Sequence, residues 1–502
     1  MEKSPDAHQK YLEKLWISVF AGMVAAAPRL LAQAPGKVRV DWGQVQEVSK
    51  TTPTLQVVVN PPLRRGSKVH DQVFQELKEL GADYVRYVPW LPYPRLAVAE
   101  LEPPENGITS WDFSLIDPMM EDFMNATTGH SGVINFSTIP QWMFKTPKPV
   151  AYPSDPDQVD WQYEQGAELR DPSMKEVADY YGRLVSWYTQ GGFTDEYGKR
   201  HESGHHYNIQ YWEVLNEING EHHMTAEFYT RLYDAIVTAI HKVDPTIKFV
   251  GMGYGGTNAD FFEYFLDHHH HKPGVPINMI SYHFYASPTP RQDLNDWQYT
   301  FFDQADHFLD VVSYIQTMRQ RLSPETQTDT DELGCILPYN TADHLVRPIP
   351  DRYWNLCGAM YAYLYVQLAH QGIEVAGESQ MVGYPTQFPS VSMVDWRTGQ
   401  PNARFWVLKL LHDNFGPGDK LVKTEGGTED VYAQGFVTKD GRRKLLLINK
   451  RDWPADISLA GAAGSEEQYV DQETGEQGVG TTRLVRDEAS LGAFEVSVVT
   501  LH

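Results

Sequence analysis

The chain has 502 residues, 41% of them hydrophobic and 12% aromatic, enough to fill a large core and leave rings over for a ligand site. That length exceeds one ordinary core and suits a barrel with a smaller module attached. The 42 basic and 66 acidic side chains give a formal charge of −24, which repels phosphate backbones and argues against nucleic acid as a partner.

At the N-terminus the polar stretch Met1–Lys14 precedes an apolar run, Leu15–Ala27, too short for a comfortable membrane span. Ala32-Gln33-Ala34 then has the small residues of a cleavage site, so residues 1–34 read as a secretory signal. The mature chain is then expected to be secreted or periplasmic, with no membrane span. Acidic residues ahead of the apolar run argue the other way, for a buried or amphipathic helix on a cytoplasmic chain.

Lys37–Trp42 reads as a short strand with the freedom to join a distant β domain. From about residue 50 to 410, short β-rich runs alternate with helical stretches. The strands are Leu55–Asn60, Tyr84–Val88, Val133–Ile139, Ile209–Leu215, Ile247–Met252, Met279–Tyr285, Thr328–Leu333 and Ile373–Glu378. Between them Val69–Leu80 places Val73, Leu77 and Leu80 on one helical face and stops at Gly81. Thr225–Val243 opens on a capping threonine and ends at Asp244-Pro245, and Arg352–His370 and Ala403–Asn414 are further helices. Such alternation predicts a parallel sheet covered by helices, and eight strands close a (β/α)8 TIM barrel over residues 35–415. Past Gly416-Pro417-Gly418 the pattern becomes β alone: Val431–Thr438, Lys444–Ile448, Asp456–Leu459 and Phe494–Leu501 predict an antiparallel β-sandwich over 416–502.

Active sites of such barrels lie at the C-terminal ends of the strands. Tyr211-Trp212-Glu213-Val214-Leu215-Asn216-Glu217 closes the fourth strand and opens a loop. A glutamate there can move a proton at a glycosidic oxygen, and the preceding amide can bond a sugar hydroxyl. Glu332, ending the seventh strand, lies across the barrel mouth and is the candidate nucleophile of a retaining pair. Asp329, Asp331 and Glu378 compete with it. Strand parity puts Asp329 and Asp331 on one face and Glu332 on the other, so only one set is expected to point inward. Arg86, inside the second strand, needs a buried carboxylate as partner and would keep the nucleophile ionised. His283 and Tyr285 share a face at the end of the sixth strand. Trp90, Trp142, Trp212 and Trp396 are candidate sugar platforms, and Glu378 a candidate substrate contact.

Neither metal nor cofactor is called for. Cys335 and Cys357 make no four-ligand zinc site, though one bridge between them is open. The four histidines His268–His271 point different ways on any regular backbone. His205-His206 and Glu221-His222-His223 lack a third ligand, and the latter reads as a loop at the rim of the site. The glycines between Gly251 and Gly256 do not form a dinucleotide fingerprint.

Several stretches resemble clan A glycoside hydrolases, and most of all glycoside hydrolase family 39, the β-xylosidases and α-L-iduronidases. They are WEVLNE at 212–217 with the helix and strand through 253, ISYHFYA at 280–286, DELG at 331–334 and VSMVDWRTGQPNARFWVLKLL at 391–411. The resemblance implies Glu217 as acid/base and Glu332 as nucleophile, with Asn216, His283, Tyr285 and Arg86 assisting. Ile218 replaces the family's usual proline, the seventh strand carries TDTD instead of apolar residues, and Glu378-Ser379-Gln380 stands where an aromatic is usual. The expectation is hydrolysis of a carbohydrate with retained configuration. Its rivals are a barrel that binds sugar without turnover and a transglycosylase of the same clan. Loop lengths after the third and sixth strands favour a partly walled site and exo action.

Overall fold

The computed structural model describes residues 35–163, 166–338, 348–475 and 477–502. The signal-like segment 1–34 lies outside the described residues. Eight parallel strands close a barrel in chain order: β1 (Thr52–Val58), β2 (Val85–Val88), β3 (Gly132–Ile134), β4 (Tyr211–Val214), β5 (Lys248–Tyr254), β6 (Met279–Ala286), β7 (Gln327–Cys335) and β8 (Val375–Glu378), which pairs back onto β1. Each expected strand is present. The third is shorter than its apolar run, because Asn135 leaves the ladder and turns its amide inward onto Glu213 and the Leu215 carbonyl.

The helices form for the reasons visible in the chain. His70–Leu80 buries Val73, Leu77 and Leu80 and ends on Gly81 at φ 63°, a left-handed cap that glycine adopts without strain. In Ala226–Val243 the Thr225 hydroxyl accepts from the Phe228 N–H at 3.2 Å. Arg352–His370 carries Cys357, which is disulfide-bonded to Cys335 at the end of β7. No helix among the described residues is long and apolar enough to cross a membrane.

The β domain is a single hydrogen-bonded sheet of nine strands. Gly36–Val48 lies inside it, antiparallel to Lys420–Gly427 and parallel to Ala455–Leu459. Arg443–Asn449 shows how the sheet is held. Leu445 and Leu447 face a small core shared by both halves of the sheet, while Leu446 and Ile448 join the core that includes the barrel's helices. A strand covered on both faces reads as an unbroken apolar run, as this one does.

Candidate active site

The barrel interior is layered. Val133, Tyr211, Val250, Met279 and Val375 form an apolar floor. Above it, toward the C-terminal ends of the strands, lies a polar layer centred on Arg86, whose side chain is 1% exposed. An isolated guanidinium there would be very costly, and every arm is engaged. Nε donates to Glu213 Oε2 at 2.5 Å and lies 2.9 Å from Asp331 Oδ2. Nη1 donates to Gln56 Oε1 at 2.7 Å and Glu332 Oε1 at 2.6 Å, and Nη2 to Asn216 Oδ1 at 2.7 Å. Ser281 and Asn135 donate to the two oxygens of Glu213 at 2.5 and 2.6 Å.

Strand β7 departs from simple alternation. Its ladders shift register between Asp329 and Glu332 on the β6 side and between Thr330 and Leu333 on the β8 side. That bulge turns both Asp331 and Glu332 toward Arg86, so the expected choice between the two faces does not arise. Burial pushes Asp331 well above the usual carboxylate range despite the facing Arg86, which keeps it neutral. Burial also pushes Glu332 upward, but His283, Arg86 and the Tyr285 hydroxyl outweigh it and hold Glu332 below its ordinary value. The Tyr285 hydroxyl donates to Glu332 Oε2 at 2.7 Å and lies 2.6 Å from Ser379 Oγ.

Glu217 follows β4 on a constrained backbone. Its φ is 38° and that of Leu215 is 67°, left-handed values that cost a non-glycine residue about 1–3 kcal/mol each. Hydrogen bonds fix the turn: Glu217 N–H to the Gly253 carbonyl at 2.6 Å, and the Gly220 and Glu221 N–H groups to the Glu217 carbonyl at 2.8 Å each. Gly255 leaves room for the side chain, since a Cβ there would meet Glu217 Oε1 at 3.0 Å. His283 Nδ1 lies 3.1 Å from Glu217 Oε1 and 3.4 Å from Glu332 Oε2, and its Nε2 lies 3.5 Å from Asp331 Oδ1. The Glu217 side chain is 34% exposed and that of Glu332 10%, so one acid faces the opening and the other the floor.

Both acids line a cavity of about 540 Å³. Asn216, Tyr285 and Gln56 add polar groups, and Trp90, Trp161 and Phe388 form an aromatic wall. Those three rings touch pairwise at 5.5–6.4 Å between centroids. A smaller hollow of about 280 Å³ shares Glu217 and Tyr285 and adds Asn219, Gly255, Gly256 and Phe284.

Of the residues expected at the site, Asn216, Glu217, Glu332, Arg86, His283, Tyr285 and Trp90 converge on it. Two do not. Glu378 is fully buried and outside the cavity lining, and Arg404 Nε donates to its Oε1 at 2.7 Å. The guanidinium of the last barrel helix claims it, and burial raises its carboxyl to about 7. Trp142 lies outside the cavity, its Nε1 donating to the Glu100 carbonyl at 2.8 Å with the Arg170 guanidinium 4.3 Å from its ring centre. Trp212 is core, stacked on Phe136. Glu213 belongs to the site though the sequence reading gave it no role; Asp331, weighed there only as a rival to Glu332, stands beside it, and Glu221, read as part of a rim loop, lines the cavity. Period two, which sets Glu213 beside Tyr211 on the inward face, was the signal for the first.

The only group of three metal-ligand-type side chains converging within 4.8 Å among the described residues is Glu217, His283 and Glu332. The Arg86 guanidinium, bonded to one of them, opposes a cation there. The four consecutive histidines disperse: His268 to Ser323, His269 to Asp267, His270 to the Tyr264 carbonyl and His271 to Asp234.

Fold and site together define a (β/α)8 barrel with a covering β domain and an acid pair in a cavity at the barrel mouth. Glycoside hydrolases of known structure share that fold. A family 51 arabinofuranosidase from Xanthomonas axonopodis pv. citri superposes with a TM-score of 0.62 at 12% identity, over 93% of this chain and 99% of that one. An α-L-arabinofuranosidase from Thermotoga maritima gives 0.60 at 15% identity, over 93% and 99%. The catalytic domain of a family 30 xylanase from Talaromyces cellulolyticus gives 0.58 at 11% identity, over 93% and 100%. At these identities the likeness is one of fold. Residues 158–312 match the alpha-L-arabinofuranosidase 1 domain family, a stretch that holds Glu217, His283 and Tyr285 but stops short of Glu332. No curated protein is similar enough in sequence to count as a relative.

Proposed function

We propose that the protein is a retaining glycosidase acting on terminal pentoses, α-L-arabinofuranosides first and β-xylosides second. The observation that carries this reading is the approach of the two acids. Ligand atoms of Glu217 and Glu332, from strands on opposite walls, lie within 4.8 Å of each other in one sugar-sized cavity. Retaining enzymes hold their carboxyl groups about 5–5.5 Å apart, and inverting enzymes leave about 6.5–9.5 Å for a water. Glu332, ionised by its neighbours, attacks the anomeric carbon while Glu217 gives its proton to the departing oxygen. Glu217 then takes a proton from water, whose oxygen displaces Glu332 and frees the sugar with its original configuration. The substrate class draws on the arabinofuranosidase domain match and on the β-xylosidase side of the family 39 resemblance, which have a five-carbon sugar in common. A walled cavity of about 540 Å³ suits one sugar and its leaving group, hence exo action.

The test is turnover of 4-nitrophenyl α-L-arabinofuranoside and β-D-xylopyranoside by the wild type, Glu217→Gln and Glu332→Gln. Both variants should lose at least about a thousandfold in the step each serves. Azide should rescue alanine variants of the two positions to give products of opposite anomeric configuration. Sugar binding without turnover by the wild type would leave a lectin-like barrel in place of an enzyme.

A further inference from the structure

Glu221 stands in the same cavity as Glu217, four residues further along the same turn. Its Oε1 accepts two hydrogen bonds, from Asn216 Nδ2 at 2.8 Å and from Trp90 Nε1 at 2.6 Å. The other end of the Asn216 amide, Oδ1, takes the Arg86 Nη2 proton at 2.7 Å. This settles the amide's orientation, because a flip would set its NH2 against a guanidinium that can only donate. One Asn216 N–H remains for a ligand. The Trp90 ring, fixed by the same carboxyl oxygen, belongs to the aromatic wall. One atom therefore sets the spacing between a hydroxyl-binding amide and a ring-stacking face. Glu221 Oε2 is buried and has no protein partner, an arrangement that costs about 1–3 kcal/mol and that a purely structural carboxyl would avoid.

We propose that Glu221 is a positioning residue: holding Asn216 and Trp90 on one oxygen, it places the ring and 2-hydroxyl of a bound sugar relative to Glu332. This rests on the glycosidase reading above. Burial and the nearby Glu217 push the Glu221 carboxyl well above its ordinary value, so it acts as a neutral group. An amide can then replace it, while a side chain without an acceptor cannot.

The experiment compares wild type, Glu221→Ala and Glu221→Gln on whichever 4-nitrophenyl pentoside the wild type cleaves and on its 2-deoxy counterpart. Glu221→Ala should lower kcat/KM about tenfold or more on the parent sugar, the loss of roughly one hydrogen bond to a reacting substrate. On the 2-deoxy sugar the same substitution should cost at least about fivefold less, since Asn216 no longer has a hydroxyl to hold. Glu221→Gln should recover most of the loss with both limbs of the pH profile in place. If Glu221→Ala does not fold, Glu221→Met keeps the volume, removes the acceptors and serves for the same comparison. Equal losses on both sugars, no loss on either, or a Glu221→Gln profile with a displaced limb overturns the assignment. Should the wild type cleave neither sugar, the glycosidase reading fails by itself. The same comparison is then read from tryptophan fluorescence with the two free sugars, and absence of binding by the wild type overturns the Glu221 assignment too.

Discussion

Tyr285→Phe removes one oxygen from the site and leaves the ring. The lost hydroxyl donates to Glu332 Oε2 at 2.7 Å, while Arg86 stays on Oε1 at 2.6 Å. A hydrogen bond to a charged group contributes about 1.5–3 kcal/mol, and one pKa unit corresponds to about 1.4 kcal/mol. The phenol stabilises only the carboxylate, so its removal should raise the Glu332 pKa by about 1–2 units. Protonated Glu332 cannot attack, so the acid limb of kcat/KM should move up in pH by the same amount. Stability should follow with a defined sign. Glu332 is depressed in the folded state, so its contribution is present above the unfolded value and lost as pH falls through the folded one. The wild type should therefore exceed the variant in urea stability at pH 7, and the gap should close as pH drops through the two folded values. The assays are a pH–rate profile on an aryl glycoside and urea titrations at several pH values. An acid limb that does not move refutes the argument, because the hydroxyl would then not control Glu332.

Glu378→Ala should cost about 3–5 kcal/mol in urea unfolding by stranding Arg404, yet leave KM unchanged, contrary to a role in binding sugar. Trp90→Ala should raise KM by about 10–100-fold through loss of an aromatic contact, whereas Trp142→Ala should not change KM, as steady-state kinetics on the same substrate would show. Glu100 is fully buried with both carboxyl oxygens unpartnered, and burial, with Glu196 adding to it, raises it to about 9. Its folded pKa lies above its unfolded one, so it binds a proton in the folded state and stability falls as pH rises between the two. Glu100→Gln should lose less melting temperature than the wild type between pH 5 and about pH 9, a comparison calorimetry makes directly.

The barrel was legible because parallel strands buried on both faces are apolar runs, and because capping residues and glycines mark where helices begin and end. Arg86 was legible as a charge that required a buried partner. What could not be read was any feature set by local departure from regular geometry. Parity alone separates Asp331 from Glu332, and only the bulge in β7 brings them together. Glu378 was misplaced because its partner, Arg404, lies 26 residues away on a helix where an arginine ordinarily faces water. The strands Gly480–Arg483 and Glu466–Val470 escaped notice because they are short and largely polar at the edge of the sheet. Glu221 escaped because an Asn-Gly-Glu turn after a strand looks like solvated loop until Trp90 and Asn216 are seen to share its oxygen.

The polar layer also explains why the seventh strand departs from an apolar pattern. Arg86 faces Glu213, Asp331 and Glu332, so one cation meets three acids in a buried space. A third carboxylate left ionised there would be repelled by the other two at low dielectric. Burial instead keeps Asp331 neutral, and the Arg86 charge remains available to Glu332. Replacing this layer with hydrophobic residues of similar volume would cost the fold little and could stabilise it. Its retention, beneath two non-glycine residues in left-handed backbone conformations at Leu215 and Glu217, places buried charge and backbone strain together at the rim and floor of a single cavity. A barrel that only had to fold or to bind a sugar face would have no use for an ionised acid at the floor of that cavity. A reaction that builds positive charge at one carbon would.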